Sequence, residues 1–487
     1  MRKKWDLPKG CVIALAILAV LAVLFYFVAG EQLQVRFDAT DAVSPSASVG
    51  EILPGTTLSQ QFSSPGGRLT GFSVLVGTFA RQNRGTMYFS VSQQQPGQEP
   101  VLIETFAADL EQMQDNSWCQ IWLSDPVEDA LEKQFTLTIW SEGCQTGQAA
   151  TVYFGNSIAT GRFEIGSEGW EPLQQNGVLL DGTLCLQVYG ETDLWFGQYY
   201  WAFALGAELL AGLYCLRLCR LQAKGKSCFG LRFIHAVTHY RFLIQQLVSR
   251  DFKTKYKRSV LGIVWSFLNP LLTMTVQYVV FSTIFKSDVP NFPVYLLTGI
   301  VLFNFFNEAC SMGITSILGN ASLITKVYVP KYIYPVTRVL SSGINMLFSL
   351  VPLFLVMLAT QTKITPALLL FPFTLVCLLC FCTGLVLILS AAMVFFRDTQ
   401  FLWNVLSMIW MYATPIFYPE SIIPARFLTI YKMNPLYHFI RFARMVIMDG
   451  VSPEPKAYLI CFVFALGSLL IGGLIFRKVQ DKFVLYL

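Results

Sequence analysis

The sequence predicts an α-helical polytopic membrane protein with eight spans and an extracytoplasmic β-sandwich domain. The chain has 487 residues, of which 54% are hydrophobic and only 13% charged, whereas a soluble domain carries about 25% charged residues. Eight apolar runs are long enough to cross roughly 30 Å of hydrocarbon as helices. Between the first two runs the pattern changes to strand-like alternation. This combination excludes a disordered chain, a coiled coil and an ordinary cytosolic enzyme.

The apolar runs also predict how the chain crosses the membrane. They cover residues 11–29, 196–216, 261–285, 294–318, 336–360, 366–396, 401–418 and 458–476. Basic residues favour the cytoplasmic side; four of them precede the first run and 11 lie within 217–260. Both termini are therefore expected inside and residues 31–195 outside. The first run exceeds the roughly 7–15 apolar residues of a signal peptide, which predicts an uncleaved anchor.

This topology divides the chain into five parts. They are an anchor at 1–30, an exported β domain at 31–195, a second transmembrane helix at 196–216, a basic cytoplasmic linker with an amphipathic interface helix at 217–260, and a six-span core at 261–487. The last outside segment, 419–457, is unusual because it carries five basic residues. Its prolines, Pro419, Pro424 and Pro435, predict short broken helices that dip into the outer leaflet.

Charge is divided as sharply as hydropathy. Residues 31–195 contain six basic and 20 acidic residues, a balance of −14, and the rest of the chain contains 29 basic and 10 acidic residues. The basic part is also the apolar part, so its charge is explained by membrane topology and anionic lipid head groups. We therefore expect contact with membrane lipids and no nucleic-acid partner.

The exported segment predicts a jelly-roll of antiparallel strands. Runs such as TGFSVLVGTFA and QFTLTIW are separated by clusters of Gly, Pro, Asn and Ser. Its tryptophans are expected mainly in the core, with a sugar-binding face as the alternative; they are Trp118, Trp122, Trp140 and Trp170. Cys119 and Cys144 are expected in neighbouring strands and are candidates for a disulfide, because the outside is oxidising.

An amphipathic helix and a basic cluster precede the third run. The apolar residues with helical spacing are Tyr240, Leu243, Ile244, Leu247 and Val248. The helix is expected to lie flat along the cytoplasmic interface because a span follows it directly. The basic residues that come next are Arg250, Lys253, Lys255, Lys257 and Arg258. They fix the topology, attract a phosphate or diphosphate group at a transport entrance, or do both.

Four motifs then follow in order. They are RDFKTKYKRSVLGIVWSFLNPLL at 250–272, FFRDTQ at 395–400, ATPIFYP at 413–419 and MNPLYHFIRFAR at 433–444. This series, together with six spans, resembles the ABC-2 type permeases that export O-antigen, capsule and teichoic-acid polymers. The resemblance covers about residues 235–487. Residues 1–230 depart from the common core of that family, which leaves the substrate open.

The resemblance implies a working unit of two permease chains and two ATPase chains in the cytoplasmic membrane of a bacterium. A polymer on a polyprenyl diphosphate lipid would enter at the amphipathic helix and thread through an aromatic-lined channel between the permeases. The loop 319–335 would hold a coupling helix seated on the ATPase. The coupling candidates are Ser322, Thr325, Lys326, Tyr328, Lys331, Arg397 and Asp398. ATP and Mg would be bound by the partner ATPase, and no cofactor by this chain.

The residues themselves support a separate ATPase. The chain contains no GxxxxGK[ST] motif; its only GKS begins at Gly225, and the position five residues earlier is Arg220. The backbone cradle for phosphates is therefore missing, and ATP must be hydrolysed by another subunit. No arrangement of nucleophile and base and no spacing of metal ligands indicates a catalytic or metal site in this chain.

A carboxylate and several aromatic residues are the channel candidates. Glu308 lies within the fourth run, where a charge is costly and marks either a polar interior or a hydrogen bond between helices. The aromatic candidates are Phe303, Phe305, Phe306, Trp403, Trp410 and Tyr412. The alternative is a lipid-facing role, in which such rings are also abundant.

Three functions are consistent with the sequence. The leading one is a polysaccharide-exporting permease whose exported domain binds sugar or docks another protein. The second is an ABC-2 permease for small lipophilic compounds, which needs neither the basic entry helix nor the exported domain. The third is a membrane-anchored carbohydrate-binding scaffold without transport, which does not need six further spans.

Overall fold

The computed structural model describes residues 7–40, 43–94, 99–155, 173–226, 228–256, 262–285, 291–326, 329–420 and 425–486. The chain forms two compact units. A helical unit comprises Met1–Gln32 and Tyr200–Leu487, and a β unit comprises Leu33–Tyr199.

The helical unit contains long helices joined by short turns and short helices. The helices are α1 Leu7–Gln34, α3 Tyr200–Ala223, α4 Phe229–Tyr256, α5 Trp265–Phe285, α6 Phe292–Ile314, α7 Ala321–Lys326, α8 Ile333–Ala359, α9 Phe371–Phe395, α10 Thr399–Tyr412, α11 Ala425–Lys432, α12 Pro435–Arg444, α13 Pro455–Val479 and α14 Phe483–Tyr486. The helix α2, Trp195–Gln198, belongs to the β unit.

Six of these helices are long and apolar enough to cross a membrane. They comprise Leu7–Gly30, Tyr200–Ala223, Phe292–Ile314, Ile333–Ala359, Pro366–Phe395 and Pro455–Lys482. Each one coincides with a predicted span. The helix α5 is not among the six, although its 21 residues amount to about 32 Å at about 1.5 Å per residue.

The predicted span at 401–418 does not form one long helix. The helix α10 has 14 residues and ends at Tyr412, which gives only about 21 Å. Pro415 and Pro419 explain the early end, because proline lacks the N–H of a helical hydrogen bond and its ring clashes with the preceding turn. The residues between Thr414 and Phe417 are nevertheless buried.

Small residues let α9 and α13 approach closely. A Cβ added at Gly384 would collide with the backbone of Ser468, and one added at Gly472 would collide with the backbone of Gly384. The Ser468 hydroxyl also donates a hydrogen bond to the Phe381 carbonyl oxygen over 2.9 Å. Close backbone approach through small residues is a common way to pack helices within membranes.

The described residues of the β unit form thirteen strands in two antiparallel sheets. They are β1 Val35–Ala39, β2 Ala47–Ser48, β3 Thr57–Ser63, β4 Arg68–Gly77, β5 Thr86–Gln94, β6 Val101–Asp109, β7 Ser117–Val127, β8 Gln134–Glu142, β9 Thr151–Gly155, β10 Gln174–Gln175, β11 Val178–Leu179, β12 Thr183–Leu184 and β13 Leu186–Asp193. A seven-stranded sheet has the order β1-β13-β4-β9-β12, with β7 paired to β4 and β2 to β9; a six-stranded sheet has the order β11-β10-β3-β8-β5-β6.

One hydrophobic core lies between the two sheets. Phe72 of the first sheet contacts Phe89 and Phe106 of the second, with ring centroids 6.5 and 6.3 Å apart. Alternate residues of the strands supply the core, because successive side chains of a strand point to opposite faces. The sheet-rich character of this segment is thus confirmed, and its jelly-roll connectivity stays a prediction.

The expectation that the tryptophans pack mainly in this core is wrong for the three that the structure describes. Trp118 and Trp122 are exposed on the outward face of β7. Trp140 lies on the outward face of β8 and stacks on Tyr88 with ring centroids 5.3 Å apart. Trp170 lies outside the described residues.

The predicted disulfide between Cys119 and Cys144 is also wrong, since both thiols are free. Cys119 lies in β7, which pairs with β4 of the seven-stranded sheet. Cys144 follows β8 of the other sheet, and its thiol donates a hydrogen bond to the Ile52 carbonyl oxygen over 3.4 Å. The two strands are consecutive in sequence but belong to opposite sheets, so they are not neighbours. Cys185 is a buried free thiol, and burial raises its pKa to about 12.

Candidate functional site

The predicted amphipathic helix forms the second half of α4, and its two faces are as expected. Leu247 is buried, and Tyr240, Leu243 and Ile244 are partly buried around it. The polar residues on the opposite face are exposed; they are His239, Arg241, Gln245, Gln246 and Arg250. The helical spacing of apolar residues therefore identified the buried face correctly.

The apolar face of α4 packs on protein. Leu247 shares a hydrophobic cluster with Ile324 of α7, Tyr334 of α8 and Phe476 of α13. A helix whose apolar stripe is buried in such a cluster is part of the folded unit, whatever its relation to the membrane surface. The same cluster includes Ile324 of α7, the helix within the predicted coupling loop.

A buried carboxylate that sequence reasoning missed ties α4 to α8. The Asp251 side chain is only 3% exposed, and its Oδ1 lies 2.8 Å from Arg338 Nη1 and 3.2 Å from Arg250 Nη2. Its Oδ2 accepts a hydrogen bond from the Ser341 hydroxyl over 3.3 Å. Arg250 also donates to Asn320 Oδ1 over 3.1 Å. Both oxygens of Asp251 are thus satisfied, as a buried charge requires.

A second ion pair ties the last turn of α4 to α6, and a side chain of α8 donates to the same carboxylate. Lys255 Nζ lies 2.8 Å from Glu308 Oε1, and the same oxygen accepts a hydrogen bond from Asn345 Nδ2 over 2.6 Å. Of the two alternatives for Glu308, the structure therefore shows contacts between helices. Glu308 is not an isolated charge, because Lys255 supplies its countercharge.

The five residues of the predicted entry cluster are thus not equivalent. Arg250 and Lys255 are engaged by Asp251 and Glu308. Lys253 is exposed, and within the described part of the chain we find no ion pair that involves it. Lys257 and Arg258 lie outside the described residues.

The predicted coupling loop contains a short helix with one polar face. In α7 the residues Ser322, Thr325 and Lys326 are exposed, and Ile324 is buried. Arg397 and Asp398, in the turn between α9 and α10, are also exposed. The structure therefore leaves these five polar side chains accessible to a partner. Tyr328 lies outside the described residues.

Lys331 differs from the other coupling candidates because it is engaged within the chain. Its Nζ donates a hydrogen bond to the Gln480 carbonyl oxygen over 2.6 Å and lies 5.8 Å from the ring centroid of Phe483. These contacts tie the loop to the end of the chain. Lys331 thus has a role in internal packing, and its role in coupling stays a prediction.

Most of the predicted channel aromatics are core residues. Phe303, Phe305, Phe306 and Trp403 are at most 5% exposed, and Phe306 contacts the rings of Trp403 and Trp410 with centroids 5.7 and 5.1 Å apart. A residue buried within one chain cannot line a channel between two chains, so the prediction is wrong for the first four. Trp410 is partly buried, and its Nε1 donates to Asn434 Oδ1 over 2.8 Å.

Tyr412 is the exception among these aromatics. It lies at the end of α10 with 60% of its surface exposed. Its ring centroid is 6.3 Å from that of Phe417, which is buried. Of the six rings that the sequence singled out, Tyr412 is thus the one most accessible for contact with a substrate, a lipid or a second chain.

A buried arginine that sequence reasoning also missed holds the irregular segment after α10. Arg444 Nη1 donates to the Pro415 carbonyl oxygen over 2.6 Å, and Nη2 donates to the carbonyl oxygens of Ile416 and Tyr295 over 2.9 and 3.2 Å. Its Cζ lies 3.4 Å above the Tyr295 ring centroid. Carbonyl groups outside a helix need such donors when they are buried away from water.

Asn434 makes a second contact between the same two motifs. Its Nδ2 donates to the Thr414 hydroxyl over 2.8 Å and to the Ala413 carbonyl oxygen over 3.3 Å. Its Oδ1 accepts from Trp410 Nε1 and from the Leu436 backbone N–H, which caps α12. The motifs at 413–419 and 433–444, separate in sequence, therefore form one structural unit.

Comparisons of the sequence with a family model and with individual proteins agree on one family. The ABC-2 type transporter family matches residues 242–448. An O-antigen export system permease protein RfbA of Myxococcus xanthus is 30% identical over 257 residues, which are 52% of this chain and 98% of that protein. One from Klebsiella pneumoniae is 29% identical over 244 residues, 50% of this chain and 93% of its own length.

A polysialic acid transport protein, KpsM of Escherichia coli, is more distant. It is 24% identical over 247 residues, which are 49% of this chain and 93% of that protein. The family match lies within the helical unit and does not include the β unit. The helical unit therefore carries the likeness to transport permeases, and the chain is a multi-pass membrane protein of the ABC-2 type permeases of polysaccharide export.

Proposed function

We propose that the chain is the permease subunit of an ABC transporter that exports a polysaccharide linked to a polyprenyl diphosphate lipid across the cytoplasmic membrane. The observation that carries this proposal is the match to nearly the whole length of O-antigen export permeases, 98% and 93% in two cases. A match of that extent includes a complete permease core and not an isolated helix pair.

We further propose an eight-span topology with both termini in the cytoplasm. The two spans beyond the six long apolar helices are α5 and α10, the latter completed by the buried segment that Arg444 holds. The basic residues of 217–260 support a cytoplasmic position for α4. The same rule puts the acidic segment 31–195 outside, so the β unit is the extracytoplasmic domain.

A separate ATPase subunit supplies the energy. This proposal is supported by the missing P-loop at Gly225 and by the exposed polar side chains of α7 and of the α9–α10 turn. The same partner binds ATP and Mg. Two copies of this chain form the channel, and the exposed ring of Tyr412 is a candidate for its wall.

Lys253 is the best described candidate for attracting the diphosphate. Arg250 and Lys255 are balanced by carboxylates within the chain, whereas Lys253 is exposed. Lys257 and Arg258 belong to the same basic cluster of the sequence and lie outside the described residues. A basic residue near an anionic surface contributes about 1 kcal/mol. Arg250 and Lys255 then act chiefly by holding α4 in place.

The test is co-expression of the chain with the ATPase encoded beside it, in cells that make the polymer and lack their own exporter. We expect surface polymer only with both proteins, and none when the P-loop lysine of the ATPase is replaced. The purified chain alone should hydrolyse no ATP. Robust hydrolysis without the partner would refute the assignment, and export of lipophilic dyes without polymer would favour the permease for small compounds.

A charge reversal tests the entry position. Lys253→Glu should reduce export while membrane insertion and thermal stability stay unchanged, because its side chain is exposed and we find no ion pair for it in the described structure. The matched control is Arg241→Glu on the same exposed helix face. Equal export by the Lys253 variant and the unmodified chain would leave only a topological role for this charge.

A further inference from the structure

The outward face of the seven-stranded sheet carries an aromatic platform, formed by Phe37, Trp122 and Tyr189. Phe37 and Trp122 are 52% and 51% exposed, and their rings have centroids 6.0 Å apart and planes inclined by 49°. Tyr189 is buried beneath them and stacks on both, at 5.9 Å from Phe37 and 5.0 Å from Trp122. The three residues come from β1, β7 and β13, so the strand order brings them together.

The backbone lets Trp122 lie close to Tyr189 in this platform. Gly71 of β4 pairs with Tyr189 on one side and with Trp122 on the other. A Cβ at Gly71 would lie 2.9 Å from Trp122 Cε3 and 2.5 Å from the Ile121 carbonyl oxygen. Glycine therefore lets the indole lie across β4 and reach Tyr189, to which it is inclined by only 22°. Any other residue would lift the ring.

The hydroxyl group beneath the platform is also fixed. The Tyr189 hydroxyl donates to Gln187 Oε1 over 3.3 Å and lies 2.9 Å from the Ser73 hydroxyl. These bonds hold the supporting ring in one orientation. A rigid, pre-oriented surface loses little conformational entropy when a ligand binds.

The charged residues around the platform limit the kinds of ligand that can bind there. Glu191 pairs with Phe37 across β1 and β13, and Arg68 is balanced by Asp193 at 2.8 Å and Glu191 at 3.3 Å. The segment 31–195 as a whole has a balance of −14. Such a surface repels anionic lipid head groups and polyanions. Its amides and carboxylates accept hydrogen bonds from hydroxyl groups.

We infer that the platform of Phe37, Trp122 and Tyr189 binds a neutral polysaccharide. The negative faces of aromatic rings attract the partly positive C–H groups of a pyranose ring, and the two exposed rings, 6.0 Å apart and inclined to each other by 49°, offer two faces to the C–H groups of a sugar unit. This inference rests on the proposed function, to which it adds a substrate class: a polymer of uncharged sugars.

The test uses the full chain in nanodiscs of zwitterionic phospholipid. The probe is the polysaccharide purified from the surface of the organism that carries this chain, cut into labelled fragments. Trp122→Ala and Phe37→Ala should each weaken binding at least tenfold. Trp122→Phe should weaken it less, because it keeps a ring, and Gly71→Ala should weaken it while keeping every aromatic side chain.

The matched control is Trp140→Ala, which removes an aromatic ring from the outward face of the other sheet and should leave binding unchanged. Equal binding by the Trp122→Ala variant and the unmodified chain would overturn the site. A native polymer with regular carboxylates or phosphates would overturn the substrate class. The fluorescence of Trp122 is the difference between the unmodified chain and the Trp122→Phe variant. Quenching of this fluorescence by brominated lipids would show that a membrane occupies the platform instead.

These outcomes are separable from the proposed function. Normal export with unchanged binding in the Trp122→Ala variant would refute the binding site and leave the proposed export function intact. Failure of export by the unmodified chain, together with binding that depends on the platform, would refute the export function and indicate a carbohydrate-binding membrane protein.

Discussion

Replacing Arg338 by glutamine should loosen α4 from the helical unit. Asp251 is almost fully buried and receives its shortest ion pair, 2.8 Å, from Arg338 Nη1. Breaking a buried ion pair costs about 3–5 kcal/mol when the remaining charge has no other partner. Arg250 keeps a longer contact of 3.2 Å from a half-exposed side chain, so we expect a loss of about 2 kcal/mol, below the full value.

Amide hydrogen exchange measures this loss where it occurs. Local opening of α4 exposes its backbone N–H groups, and about 2 kcal/mol corresponds to a roughly 30-fold faster exchange when reclosing outpaces exchange. Peptides that cover 240–256 should show this acceleration, and peptides of α13 should show much less. Arg338→Lys keeps the charge and should recover part of the protection.

The matched control is Arg241→Gln, which removes an arginine from the exposed face of α4 and should leave exchange unchanged. The reasoning would be refuted by wild-type protection of 240–256 in Arg338→Gln. That result would mean that the apolar contacts of Leu247 hold α4 without help from the ion pair.

Three further predictions concern other parts of the chain. Gly384→Val should destabilise the purified protein by at least about 1–3 kcal/mol in thermal unfolding, whereas Gly473→Val should not, since a Cβ there meets open space. Cys185 should resist maleimide at pH 8 and be alkylated after unfolding without reductant, because it is a free thiol whose pKa burial raises to about 12; a disulfide found by mass spectrometry would contradict this. A double-mutant cycle of Lys255→Met and Glu308→Gln should give a coupling of about 1 kcal/mol, since both side chains are partly exposed; zero coupling would show that the ion pair contributes nothing to stability.

The sequence predicted those features that depend on periodicity. Helical spacing identified the buried face of α4 around Leu247, and alternation identified the strands of the β unit. Of the eight spans that hydropathy predicted, six coincide with helices long and apolar enough to cross a membrane. Hydropathy extended α10 too far because Pro415 interrupts an apolar run without making it less apolar.

Contacts between distant residues were beyond such patterns. Asp251 finds its partner Arg338 on another helix, and nothing local marks either residue. Composition also cannot separate a ring in the core from one at the surface: Phe306 is fully buried and Tyr412 is mostly exposed, although both lie in apolar runs. The cysteine pairing failed for the same reason, since sheet membership is a property of the whole fold.

The contacts of Arg444 give a physical reason for the motifs at 413–419 and 433–444, which are separate in the sequence. The chain after α10 leaves the helix yet stays buried, so the carbonyl groups of Pro415 and Ile416 need donors that water cannot supply. A guanidinium meets this need because it is planar, carries five donors and stacks on the Tyr295 ring. The ammonium group of a lysine is a compact point charge without this planar set of donors. At the other end of α12, Asn434 donates hydrogen bonds to the Thr414 hydroxyl and the Ala413 carbonyl oxygen, at the start of the same segment. One ten-residue helix thereby replaces the hydrogen bonds that an uninterrupted span would have made for itself.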